Sequence, residues 1–148
     1  MKRFLYYFWS STWNCLSTVI GVVIAVSLLI TGHKPRMFGP TICFKVNQQW
    51  SGVFSMSFIT VISGDCESYH MLAHSYGHSL QGLIFGPLML FIITIPSTIR
   101  YFYRSWYYDE YGQDAYFKLT RYDSIWFEKT AVKYGKKYSD RSWYKDNC

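Results

Sequence analysis

Between Arg3 and His33 the chain carries no charged side chain, and within that interval Cys15 to Thr31 (CLSTVIGVVIAVSLLIT) is almost wholly apolar. At 1.5 Å per residue, about 20 such residues cross a hydrocarbon core of about 30 Å. The segment is therefore expected to be a transmembrane helix, and the chain an integral membrane protein. It is entered through Met1-Lys2-Arg3 and an aromatic cluster (Tyr6, Tyr7, Phe8, Trp9, Trp13) and leaves through Gly32-His33-Lys34-Pro35-Arg36. Aromatics at one edge and cations at both are what interfacial anchoring requires. A cleaved signal peptide begins with the same short basic stretch, but the long aromatic lead-in and the lack of a small-x-small site before Gly32 favour a retained anchor. Residues 1–33 are read as the anchor and 34–148 as a membrane-associated domain.

A second uncharged run extends from Ser79 to Ile99. It is long enough to span, yet Gly82, Gly86-Pro87 and Pro96 each weaken or break a helix. A full crossing and a re-entrant or interfacial helix pair both remain open, since broken helices are tolerated at membrane depth where protein covers the freed backbone groups.

The 148 residues suffice for one compact domain plus membrane segments. Two features of composition need a cause: 21% aromatic residues and a formal net charge of +6. The charge is spread thinly, with ten cations against seven acids from Arg100 onward and two cations before the first apolar run. That placement supports a cytoplasmic N-terminus. No basic stripe or binding motif accompanies the charge, which argues against nucleic acid as a partner. Of the four cysteines (Cys15, Cys43, Cys66, Cys148), Cys43 and Cys66 flank a predicted hairpin and are the pair that an oxidising compartment would bridge.

After the anchor, Pro35 to Pro40 reads as a linker. Thr41–Trp50 and Val53–Ile62 are β-rich runs around Ser51-Gly52 and predict a hairpin over 41–62. Phe54, Met56 and Phe58 alternate with Val53, Ser55 and Ser57, as in a half-buried strand. A helical pattern then runs through the histidines and the second apolar run (67–99), followed by an aromatic and basic stretch (100–120). Asp123 as N-cap and Gly135 as C-cap bound a last helix over 123–135. The expected fold is a mainly α membrane protein with one β-hairpin, one transmembrane helix, a second broken apolar helix, and a helix pair that carries the chemistry.

His74-Ser75-Tyr76-Gly77-His78 puts two imidazoles four residues apart, on one face of a helix. That spacing suits two ligands of one zinc ion. In the H-E-x-x-H arrangement the residue after the first histidine is a glutamate that activates the attacking water and carries its proton; here it is Ser75. Two interfacial or hydrogen-bonded histidines would satisfy the same spacing. His70 extends the face by one turn, as a third ligand or as a neighbour, but three ligands in a straight helical row cannot converge on one tetrahedral ion.

His74-Ser-Tyr-Gly-His78-Ser-Leu-Gln81, Phe85-Gly-Pro-Leu88, Ile95-Pro-Ser97, Arg100-Tyr-Phe-Tyr-Arg104 and Tyr122-Asp-Ser-Ile-Trp-Phe-Glu128-Lys-Thr-Ala131 occur in that order. Over residues 41–135 the chain resembles a family of short, mostly uncharacterised bacterial membrane proteins whose pattern reads His-Glu-x-Gly-His-x-x-Gln, Gly-Pro, Ile-Pro-Ser, Arg-Tyr-x-Tyr-Arg and Asp-x-Ile-Trp-Phe-Glu-x-x-Ala. The resemblance implies a zincin-like arrangement with His74, His78 and Glu128 as zinc ligands. A solvated helix carboxylate paired with a lysine is the other reading of Glu128. Ser75 departs from the family where the chemistry can least spare it, through natural loss of catalysis or deliberate replacement.

If Ser79 to Ile99 crossed a membrane fully, Glu128 would emerge about 30 Å from His74. A shared site therefore demands that the run double back at Gly86-Pro87 or that the Glu128 helix return. The expectation is a membrane-anchored metallopeptidase homologue impaired at Ser75, with the bilayer as partner and a peptide or protein segment at the hairpin edge. A non-enzymatic membrane interaction or subunit protein, and a small two-span protein with structural histidines and no metal, are the rivals.

Overall fold

The computed structural model describes residues 3–46, 53–63, 68–119 and 124–145. The order is α1 (Arg3–Trp13), α2 (Cys15–Ile30), β1 (Pro35–Phe38), β2 (Thr41–Val46), β3 (Val53–Met56), β4 (Ile59–Ser63), α3 (Tyr69–Phe85), α4 (Ile95–Lys118), α5 (Trp126–Tyr138) and α6 (Ser142–Lys145). A 3-10 turn at Gly86–Leu88 and a π turn at Leu90–Thr94 join α3 to α4. The protein is mostly helical with one small mixed sheet of four strands.

The sheet has the order β1-β2-β4-β3. It differs from the single hairpin expected over 41–62. The run from Val53 to Ile62 is itself folded into a hairpin, with Ser55 opposite Thr60 and Met56 opposite Ile59. β2 lies parallel to β4, and the expected linker supplies β1, antiparallel to β2. The β3–β4 turn is made by Ser57, at φ 56°, and Phe58. A left-handed residue in a two-residue loop matches the twist of antiparallel strands. Ser57 is buried there, its hydroxyl 2.9 Å from that of Thr18 in α2. Every residue of β4 is buried, which explains why its sequence does not alternate as a one-sided strand would. Ser51-Gly52, Cys66, Asp123 and Cys148 lie outside the described residues, and with them the expected turn, the bridge from Cys43 and the expected N-cap.

Tyr6, Phe38, Cys43, Ile62, Leu72 and Tyr76 form one core between α1, the sheet and α3; Met89, Ile93 and Phe127 form a second beside the π turn. Among the described residues no single helix is long and apolar enough to cross a membrane. The expected N-terminal span is instead two helices, α1 and α2, bent by 106° about Asn14, and the second apolar run is bent by 115° near Met89. The two elbows meet: the Trp13 indole lies against Gly86, and the Trp9 Nε1 donates to the Leu83 carbonyl at 3.3 Å. From Val22 to Ile30 no residue of α2 is buried, although the stretch is apolar but for Ser27.

Candidate metal centre

The site is built where α3 crosses α5. Ser68 caps α3, its hydroxyl accepting from the Met71 N–H at 3.3 Å, and the helix then runs unbroken past both histidines. Ala73 and Gly77 on α3 face Ala131 and Gly135 on α5. A methyl group at Gly77 would overlap the Ala131 carbonyl, and one at Gly135 the Ala73 carbonyl. Small residues one turn apart on both helices let the backbones touch. Gly135 is therefore not the expected helix end. α5 continues to Tyr138, and the glycine serves the helix contact.

This approach brings Glu128, fully buried in the first turn of α5, against both histidines. Its Oε2 lies 3.1 Å from His74 Nε2 and 3.2 Å from His78 Nε2, and the two Nε2 atoms are 3.2 Å apart. With bonds of about 2.0–2.1 Å, two ligands of a tetrahedral zinc ion stand about 3.3 Å apart. The three atoms thus match one face of such a tetrahedron to within about 0.2 Å, leaving the fourth position to the groove. Among the described residues, His74, His78 and Glu128 are the His, Cys, Asp and Glu side chains grouped so that they can hold a metal ion. Burial sets aside the reading of Glu128 as a solvated carboxylate, and the bend near Met89 is the doubling back that a shared site demands.

The surrounding hydrogen bonds dictate protonation. Gln81 Nε2 donates to the Phe127 carbonyl at 2.7 Å and to the Thr130 hydroxyl at 2.8 Å. A carbonyl only accepts, so the amide orientation is fixed and Gln81 Oε1 faces His78 Nδ1 at 2.8 Å. His78 Nδ1 must then carry a proton, and a neutral His78 presents the bare lone pair of Nε2 to Glu128. A carboxylate likewise only accepts. Two lone pairs at 3.2 Å repel unless a cation serves both, and either a second proton on His78 or a metal ion satisfies that demand.

Glu128 Oε1 accepts from the Ser97 hydroxyl at 2.6 Å, which holds the carboxylate with its other oxygen toward the histidines. Burial pushes this carboxyl up, but the hydrogen bonds from His74 and His78, the charge of His78 and the Ser97 hydroxyl outweigh it and hold it well below the usual range. Among the described residues the buried Nδ1 of His74 has no hydrogen-bond partner, so there His78 has a second contact to orient its ring and His74 does not.

Ser75, at the position of the missing glutamate, is buried, with its hydroxyl 2.6 Å from that of Thr60 on β4. The Ser55 hydroxyl on β3 donates to the Ser75 carbonyl at 3.4 Å. His70 lies on the same groove as the histidine pair but outside the triad. That groove, about 680 Å³, runs between β3, α3 and α4. Gln81 and Ser97 stand in the sequence motifs, but spacing assigned them no role. Gln81 is a helical i, i+3 neighbour of His78 and was open to that inference; Ser97 reaches Glu128 only through the fold. Comparison with known protein families, curated proteins and solved structures finds no match.

Proposed function

We propose that this chain is a membrane-anchored, zincin-like metallopeptidase homologue in which His74, His78 and Glu128 hold a zinc ion and Ser75 leaves the site without its general base. The observation that carries the reading is the ligand triangle with edges of 3.1 and 3.2 Å, together with the Gln81 contact that turns the His78 lone pair into it. His and carboxylate donors in an open site suit zinc. A bound ion would supply Lewis acidity toward a peptide carbonyl and toward water. The chain's own groups orient the ligands and form the groove.

β3 is one of the two outer strands of the sheet and lines that groove. An outer strand offers unpaired backbone groups to an added strand, so an extended peptide or protein segment is the partner this wall suits. Support for the membrane comes from exposed apolar side chains on both bent helix pairs, including Phe4, Val23 and Ile30 on the first and Phe91, Ile99 and Phe102 on the second. Patches of that extent mark contact with lipid or partners. We place the protein in a bacterial plasma membrane with its N-terminus cytoplasmic.

Metal content tests the reading. Purified protein in detergent, assayed by elemental analysis, is expected to carry about one zinc per chain, lost in the His74→Ala, His78→Ala double variant. No metal in either overturns it. A second reading, a non-enzymatic membrane subunit on the same fold, is favoured by the Ser75–Thr60 contact, which fills the place of the base with a buried hydroxyl pair.

A further inference from the structure

We infer that the bent pair α3 and α4 is a re-entrant limb whose elbow lies among lipid acyl chains, and that the metal centre sits below the headgroup level behind α4. The inference rests on the membrane reading above and gives its partner, the lipid hydrocarbon, a defined surface on the chain. No charged side chain occurs between Ser79 and Ile99, and around the elbow Ile84, Leu88, Phe91, Ile92 and Ile95 are all exposed. Backbone polar groups placed in hydrocarbon must be satisfied within the protein, and short 3-10 and π turns do so where a helix breaks. The elbow has both. The Met89 N–H donates to the Gly86 carbonyl in the 3-10 turn, and the Ile95 N–H to the Leu90 carbonyl at the end of the π turn, so the chain turns through 115° with those groups paired.

The side chains of α4 set the depth. Phe91, Ile95, Ile99 and Phe102 are exposed along one face, opposite the face with Ser97, Tyr101 and Tyr108 that lines the groove. From Phe91 to Phe102 is about 16 Å at 1.5 Å per residue, half of a hydrocarbon core of about 30 Å. A limb of that length reaches the midplane and returns. Above Phe102 the rings of Tyr103, Trp106, Tyr107 and Tyr111 pack on one another, and Asp109 and Glu110 are the first acidic side chains of the helix. Apolar side chains, then Trp and Tyr, then acids is the order met on leaving a bilayer. Arg100 and Arg104 lie within this stretch but turn inward: the Arg100 Nε is buried and Arg104 lines the groove, as cations at membrane depth do. Ser97, whose hydroxyl holds Glu128, is nine residues before Trp106, about 14 Å along the helix. The metal centre therefore lies at the level of the apolar face, and the groove reaches it from Tyr108, among the rings.

The test uses the full chain in phosphatidylcholine vesicles. With the four native cysteines replaced by alanine, a fluorophore is attached at Phe91→Cys, Ile99→Cys, Trp106→Cys or Glu110→Cys and quenched by nitroxides on the lipid or by iodide in the water. The Phe91→Cys and Ile99→Cys labels are expected to lose their fluorescence to an acyl-chain nitroxide and to be spared by iodide, and the Glu110→Cys label to do the reverse. The Trp106→Cys label should answer to a headgroup nitroxide. The unaltered chain gives an independent map through a phosphatidylcholine with a diazirine on its acyl chain: carbene insertion, located by mass spectrometry, is expected at Phe91, Ile99 and Phe102 and not at Asp109 or Glu110. An Ile99→Cys label open to iodide, or carbene insertion that stops before Ile95, would put Ser97 and the metal above the hydrocarbon; either overturns the inference and leaves the membrane reading standing. A chain that does not float with the vesicles overturns both.

Discussion

Gln81 accepts from His78 Nδ1 at 2.8 Å while its amide nitrogen is tied to α5 through Phe127 and Thr130, so one side chain sets the His78 tautomer and couples it to the helix of the third ligand. Removing such an outer partner usually costs a metal site about 10–100-fold in affinity. Gln81→Leu is expected to weaken zinc binding by that order, measured by competition with a chelating dye. Far-UV circular dichroism should remain that of the parent. Unchanged affinity in the leucine variant would mean that the contact does not orient His78.

The contact between α3 and α5 gives a sharper stability prediction. At Gly77 and Gly135 the obstacle to an added methyl is backbone, which cannot rotate away as a side chain can. Gly77→Ala must push the helices apart and is expected to cost about 1–3 kcal/mol, lowering the Tm by roughly 3–10 °C for a chain of this size. Zinc content should fall with it, because the shift moves Glu128 from His74. Lys133→Ala, at an exposed position on the same helix, should stay within about 0.5 kcal/mol.

Local pattern in the sequence carries the helices around the site and the motifs on them: the histidine helix, the break at Gly86-Pro87, and the last helix. Each rests on contacts within one or two turns. The sheet was poorly legible because pairing partners are distant. Nothing local says that Thr41–Val46 will run parallel to Ile59–Ser63, and the Ser57-Phe58 turn has no glycine or asparagine to announce it. Its left-handed serine is held by burial under α2. The 106° elbow at Asn14 is hidden for a similar reason, since no proline or glycine marks it and the bend packs against Gly82 and Gly86 of a distant helix. Gly135 is fit for a helix end by sequence yet lies inside α5 against the Ala73 carbonyl, because sequence does not show whether a glycine faces solvent or a neighbouring backbone.

Acid should loosen the metal-free protein through Glu128. Its carboxyl is held below the usual range in the folded state, so the unfolded chain binds the proton first as pH falls. Stability from this group is complete above the unfolded value, about 4.3 for a glutamate, and is lost progressively below it. Thermal melts of metal-free protein should therefore decline in Tm below about pH 5, and the Glu128→Gln variant should start lower at neutral pH and decline less. With zinc present the decline should begin at higher pH, because protons compete with the ion for the histidine nitrogens. Equal slopes for the two metal-free proteins would remove Glu128 as the source.

Ser75 separates the enzymatic from the non-enzymatic reading. It touches no ligand atom among the described residues, and its hydroxyl is engaged with Thr60, so Ser75→Ala should keep zinc at about one per chain and cost on the order of 1 kcal/mol for the Thr60 hydroxyl left unpaired. Ser75→Glu places a carboxylate on the groove wall one residue from His74. A general base in such a position is worth about a hundredfold to ten-thousandfold in rate. Zinc-loaded Ser75→Glu protein is expected to cleave a pooled peptide library, read by mass spectrometry, at a rate at least a hundredfold above the parent, and removing the metal should abolish the cleavage. A folded, zinc-loaded Ser75→Glu variant with no cleavage above the parent would favour the subunit reading, in which the metal organises a binding groove and hydrolyses nothing.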